Sequence, residues 1–163
     1  MKSLLIVYHS RTGGSRQMAE AAQAAARQSG EAEVKLLEAT AAGPKDLLGA
    51  EGYLFVCPEN LAAISGEMKA FFDRAYYPVL GLLEGRPYAL MVCAGSDGEN
   101  AARQMARIAT GWRLKPVADP IIVCTHAQTP EAILAPKTIP EADLARCEEL
   151  GAAMAAGLGL GIF

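Results

Sequence analysis

Hydrophobic positions along the chain fall into two alternating rhythms. Ser3 to Tyr8 is a nearly unbroken apolar run, the signature of a strand buried on both faces of a sheet. Gly52 to Cys57, Pro87 to Ala94 and Ile121 to Cys124 read the same way, and Glu33 to Glu38 alternates as an edge strand does. Between these runs the apolar residues switch to helical spacing. Ser15 to Gln28 places Met18, Ala22 and Ala25 on one face and stops at Gly30. Pro44 to Ala50 predicts a short helix. Ser65 is a candidate cap for a helix carrying Met68, Phe71, Phe72 and Ala75 at i, i+3, i+4 and i+7, which Pro78 should break. Ala101, Met105, Ile108 and Trp112 mark another helix face. Thr138 with Glu141 reads as a capping box for a last helix reaching about Ala156. Polar loops are expected at Ser10 to Ser15, Pro58 to Gly66, Gly95 to Asn100 and His126 to Lys137.

Strands alternating with helices predict an α/β three-layer sandwich: a five-stranded parallel sheet covered on both faces. Right-handed crossovers restrict the winding, and strand order 2-1-3-4-5 satisfies them. In such sheets a ligand lies outside the carboxyl ends of the strands, where the winding reverses. The loops after the first, third and fourth strands meet there.

A length of 163 residues suits one domain, 1–163, with a sizeable core. The net charge is -3 and Lys and Arg are dispersed, so nothing forms the basic stripe that nucleic acid needs. No apolar run reaches the roughly 18 residues of a membrane span. The first strand begins too early for a secretory signal, which makes the cytoplasm the expected location. The four cysteines, Cys57, Cys93, Cys124 and Cys147, form no C-x-x-C pair and no metal-ligand spacing with His. They read as small hydrophobes in a reducing compartment, although three sit at strand ends near the expected ligand.

The first loop, Ser10-Arg11-Thr12-Gly13-Gly14-Ser15, crowds hydroxyls, glycines and a guanidinium between a strand and a helix N-terminus. Glycines let the backbone approach an anion, and the helix end offers unpaired N–H groups. It ends in no Gly-Lys-Ser/Thr and contains no G-x-G-x-x-G. It resembles the phosphate loop of flavodoxins (Thr/Ser-x-Thr-Gly-x-Thr) and that of NAD(P)H-dependent FMN reductases. Pro58-Glu59-Asn60-Leu61, followed by Ser65-Gly66-Glu67-Met68-Lys69-Ala70-Phe71-Phe72-Asp73, is similar to the flavin-cupping segment of those reductases and of the tryptophan-repressor-binding-protein-like quinone reductases. Cys93-Ala94-Gly95-Ser96-Asp97-Gly98 supplies a third loop whose glycines let it lie flat against a ligand.

The resemblance implies a flavodoxin-like fold with FMN as cofactor. It places FMN against Ser10, Arg11, Thr12, Gly13, Gly14 and Ser15, against Pro58, Glu59, Asn60 and Leu61, and against Cys93, Ala94, Gly95, Ser96 and Gly98. It implies hydride transfer from NAD(P)H, as co-substrate, through FMN to an acceptor such as a quinone. The chain departs from the pattern at Asn60, where the reductases often carry an aromatic, and it lacks the Trp and Tyr that sandwich the flavin in flavodoxins. The alternative is an electron-transfer flavodoxin, a shuttle without small-molecule turnover, or a flavodoxin fold without bound flavin. Low-molecular-weight phosphatases need a Cys in the first loop, where Tyr8-His9-Ser10 has none. Receiver domains need an Asp where this chain has Cys57-Pro58. His9 and His126 are weak candidates for proton donors. The apolar tail Leu158, Leu160, Ile162 and Phe163 suits packing on its own domain or on a second subunit.

Overall fold

The computed structural model describes residues 1–163. In chain order the elements are β1 (Ser3–Tyr8), α1 (Gly14–Ser29), β2 (Glu33–Glu38), α2 (Pro44–Leu48), β3 (Gly52–Asn60), β4 (Ala63–Ile64) and α3 (Gly66–Val79). There follow β5 (Pro87–Ala94), α4 (Glu99–Gly111), β6 (Lys115–Pro116), β7 (Ile121–Cys124), α5 (Pro130–Leu134) and α6 (Glu141–Gly159).

The sheet runs β2-β1-β3-β5, all parallel, and both β6 and β7 pair with β5 at its outer edge. The expected five continuous strands in order 2-1-3-4-5 are therefore corrected to seven pieces. The outermost position is split, because Pro116 and Pro120 carry no N–H for a continuous ladder. The seventh piece is β4, which turns back antiparallel on the end of β3, pairing Glu59 with Ile64 and Asn60 with Ala63. The α/β fold with a parallel sheet stands as expected.

Alternation along the strands sends side chains to two separate cores. Leu5 and Val7 face a cluster with Tyr53, Phe55, Phe71, Phe72 and Trp112, under α2, α3 and α4. Leu4, Ile6 and Tyr8 face an alanine-rich cluster under α1 and α6. Small residues let α1 and α6 pack closely: a methyl at Gly151 would strike the Ala22 carbonyl. Met68, Phe71 and Phe72 are plain core. The tail divides, with Leu158 buried and Phe163 against Gly157, while Leu160 and Ile162 are exposed.

Several local expectations change. β3 extends past Cys57, so Pro58, Glu59 and Asn60 are strand rather than loop. Pro78 lies inside α3, which ends one residue later, where the missing N–H disturbs little. Ser65 occupies the N-cap of α3 but its hydroxyl serves His9 instead of the helix. The Thr138–Glu141 box is absent; α6 starts after Pro140. The stretch expected to be all loop after His126 contains α5, capped by the Thr129 hydroxyl on the Ala132 N–H. No helix is long and apolar enough to cross a membrane.

Candidate functional site

At the carboxyl ends of β1, β3 and β5 the chain opens a cleft of about 320 Å³. That volume lies at the lower end of the range typical of small-ligand sites, on the order of 300–1,000 Å³. Of the residues named from the sequence, Arg11, Thr12, Pro58, Glu59, Asn60, Leu61, Cys93, Ala94, Gly95 and Ser96 line it. Ser10, Gly13, Gly14, Ser15 and Gly98 stand behind that lining.

The first loop builds an anion cradle. Ser10 Oγ accepts the Gly13 N–H at 3.1 Å, and Gly13 turns the chain at φ 96. A methyl at Gly14 would lie 2.6 Å from Cys93 Sγ, so glycine lets α1 begin against the end of β5. The N–H groups of Arg11, Thr12, Gly14, Ser15 and Arg16 meet no protein acceptor. Ser15 is 2% exposed and its Oγ is the one buried side-chain polar atom with no partner. A buried polar group without a partner is costly, and free N–H groups at the positive end of a 16-residue helix are an anion site. Together they fit a phosphate.

The second element is the β3–β4 hairpin. Leu61 and Ala62 form its turn with φ 51 and 63, both left-handed. Such turns favour Asn-Gly, so an Ala and a fully exposed Leu there are strained. The hairpin is fastened to α4: Ile64 N–H donates to Gln104 Oε1 at 2.9 Å, and Asn100 Nδ2 donates to the Ala62 carbonyl. Glu59 Oε1 accepts the Gly98 N–H at 2.9 Å and Oε2 accepts the Ala101 N–H at 3.2 Å. The carboxylate of Glu59 therefore caps α4. Gly98, at φ 89, is required by that cap and by Ile122, whose Cγ2 would lie 2.6 Å from a methyl there.

The third loop contributes Cys93 to Ser96. Burial pushes the Cys57 thiol up to about 12 and the Cys93 and Cys147 thiols up to about 11. Neutral thiols are poor nucleophiles, which agrees with the reading of small hydrophobes. His9 is held by Ser65 Oγ at 2.8 Å and by Glu67 at 3.4 Å.

A fourth segment, read from the sequence only as a polar loop, joins the site. Thr125, Ala127, Gln128, Ile133 and Lys137 also line the cleft, as does Ala62 of the hairpin. The Lys137 N–H donates to the Thr12 carbonyl at 2.8 Å, which pins this segment to the first loop. No local motif signals this, because the partners lie 125 residues apart. The lining carries two cations, Arg11 and Lys137, and a single carboxylate, Glu59, already engaged by amides. It contains no aromatic side chain. The phenylalanines and Trp112 are in the core or, for Phe163, packed beside it.

Comparison with known proteins places this architecture. The family model described as NADPH-dependent FMN reductase matches residues 38–129, more than half of the chain. A flavodoxin of Aquifex aeolicus (strain VF5) is 36% identical over 97 residues, covering 60% of this chain and 50% of that protein. The match thus spans about half the length of that relative. The structure of flavodoxin 1 from Bacillus cereus superposes with a TM-score of 0.75 at 16% identity, covering 94% of this chain and 97% of that one. The flavodoxin, WrbA-like protein from Agrobacterium tumefaciens gives 0.67 at 18% identity, covering 95% and 96%. At such identities the two structures establish the flavodoxin-like fold.

Proposed function

The chain belongs to the NADPH-dependent FMN reductase family, with FMN as its cofactor, and on that premise we propose that it is a cytoplasmic oxidoreductase that moves a hydride from NADH or NADPH to a small acceptor such as a quinone. All of residues 1–163 act as one FMN-binding domain. When bound, FMN supplies the group that takes and gives the hydride; the protein supplies position and electrostatics.

The first loop holds the phosphate. The hydroxyls of Ser10, Thr12 and Ser15 and the free amides of Arg11, Thr12, Gly14, Ser15 and Arg16 would donate to it, Gly13 and Gly14 permit the approach, and Arg11 adds positive charge. The backbone of Pro58 to Leu61 and of Cys93 to Ser96 would border the ring, while the Glu59 carboxylate fixes the hairpin to α4 through the Gly98 and Ala101 amides. No side chain is assigned a proton-transfer role. Four free thiols suit a reducing compartment.

The observation that carries the reductase reading is the cleft wall without aromatics. Hydride transfer needs a nicotinamide laid against an uncovered flavin face at roughly 3–3.5 Å. A cleft that places no aromatic over the ring leaves room for it. The kinship with the Aquifex flavodoxin favours a second reading, an electron shuttle that docks on partner proteins. Steady-state assays separate the two. The FMN-loaded protein should oxidise NADH or NADPH with a soluble quinone and no added reductase; absence of turnover with every nucleotide and quinone tried favours the shuttle.

A further inference from the structure

We propose that Lys137, delivered from the segment between α5 and α6, is a ligand of the FMN phosphate and sets the preference for FMN over unphosphorylated riboflavin. The inference rests on the placement of the phosphate in the first loop.

The ammonium of Lys137 is pre-positioned. Nζ donates to the Ile133 carbonyl at 2.8 Å and to the Ala135 carbonyl at 2.6 Å. Its third contact is Thr12 Oγ1 at 3.4 Å, a long approach to the first loop. An ammonium has three donors. Two are used to anchor it, and the weak third points to the hydroxyl that also faces the cleft.

Its charge has no counterpart. Four ion pairs occur in the structure, and Lys137 is in none of them. Carbonyl oxygens orient a cation without cancelling its charge. A half-buried, unpaired ammonium beside a helix N-terminus concentrates positive potential in a protein of net charge -3. A phosphate is the complementary ligand, and a charge-assisted bond to it is stronger than a neutral one.

The segment is also clasped in place. Gln17, one turn into α1, donates from Nε2 to the Gly13 carbonyl at 3.0 Å and to the Lys137 carbonyl at 2.7 Å. Its Oε1 accepts the Ile139 N–H at 2.9 Å. With the Lys137 N–H on the Thr12 carbonyl, these bonds join the distant segment to the first loop in one network. The order of the Lys137 side chain is thus fixed before ligand arrives, which reduces the entropy lost on binding.

The test is titration of the full-length apoprotein with FMN and with riboflavin, for wild type, Lys137→Met and Lys137→Arg. Lys137→Met should weaken FMN by about tenfold to a hundredfold, the effect of one bond to a charged group. Riboflavin affinity should stay within about twofold, which also reports that the cleft is intact. Lys137→Arg should recover most of the FMN affinity, and Lys137→Met should flatten the salt dependence of FMN binding. Equal losses for both ligands, or none for either, overturn the assignment. Failure of the wild type to prefer FMN over riboflavin overturns instead the placement of the phosphate.

Discussion

Replacing Ser15 by Ala has effects of opposite sign on the empty and the loaded protein. In the empty protein the Ser15 hydroxyl is 2% exposed and unpartnered. A buried group in that state costs about 1–3 kcal/mol. Ala removes the cost, and it is also the better helix former in the first turn of α1. The apoprotein should therefore gain on the order of 1 kcal/mol, a rise of about 2–4 °C in Tm for a chain of this size. In the loaded protein, on the proposed placement of the phosphate, the same hydroxyl would donate to a charged phosphate oxygen. Its loss should cost about 1.5–3 kcal/mol, or roughly tenfold to a hundredfold in the FMN dissociation constant. Thermal unfolding of both proteins without FMN, with FMN titration followed by flavin fluorescence, measures the two quantities. An apoprotein made less stable, combined with unchanged FMN affinity, would refute the assignment of this hydroxyl to the phosphate.

Other expectations follow from particular contacts. Gly13→Val, at φ 96, should lower FMN affinity more than Thr12→Val, which removes one donor and should cost about 1.5–3 kcal/mol by the same titration. Ala62→Gly relieves a left-handed Ala and should stabilise the protein by about 1 kcal/mol in denaturant unfolding; no gain would mean the turn is unstrained. Stability should fall as pH rises above about 9, because the unfolded chain ionises thiols near their ordinary 9.0 while Cys57 stays protonated up to about 12. Stability curves of wild type and Cys57→Ala across that window test this; the fall should be shallower in the variant. Cys124, the only cysteine that is not buried, should react first with a thiol reagent in the folded protein, and fast labelling of Cys57 would contradict the burial.

The residues that predicted β1, β2 and β5 do so because each strand is short, continuous and flanked by turn formers, and the structure ends them on the same residues. The cleft was legible wherever the chemistry is local: ten lining residues come from three compact segments at strand ends. What escaped has long-range causes. The β3–β4 turn carries Leu61-Ala62 rather than Asn-Gly, so no hairpin signal marks it, and its geometry is held by bonds to α4. Glu59 read only as a flavin contact, and its capping role stayed hidden because the amides it caps lie about 40 residues downstream. Lys137 entered only as the end of a polar loop, because its partner is in the first loop. Thr138 and Glu141 match a capping box by spacing, yet Pro140 fixes the start of α6 without it.

The central claim is that FMN sits in this cleft with a face open to a nicotinamide. Anaerobic mixing of the FMN-loaded protein with NADH or NADPH, followed in the flavin absorption band, tests it most directly. The account predicts bleaching by at least one of the two nucleotides with no partner protein present. An absorption band that persists with both nucleotides, while dithionite bleaches it fully, would contradict the account and leave the electron shuttle in its place.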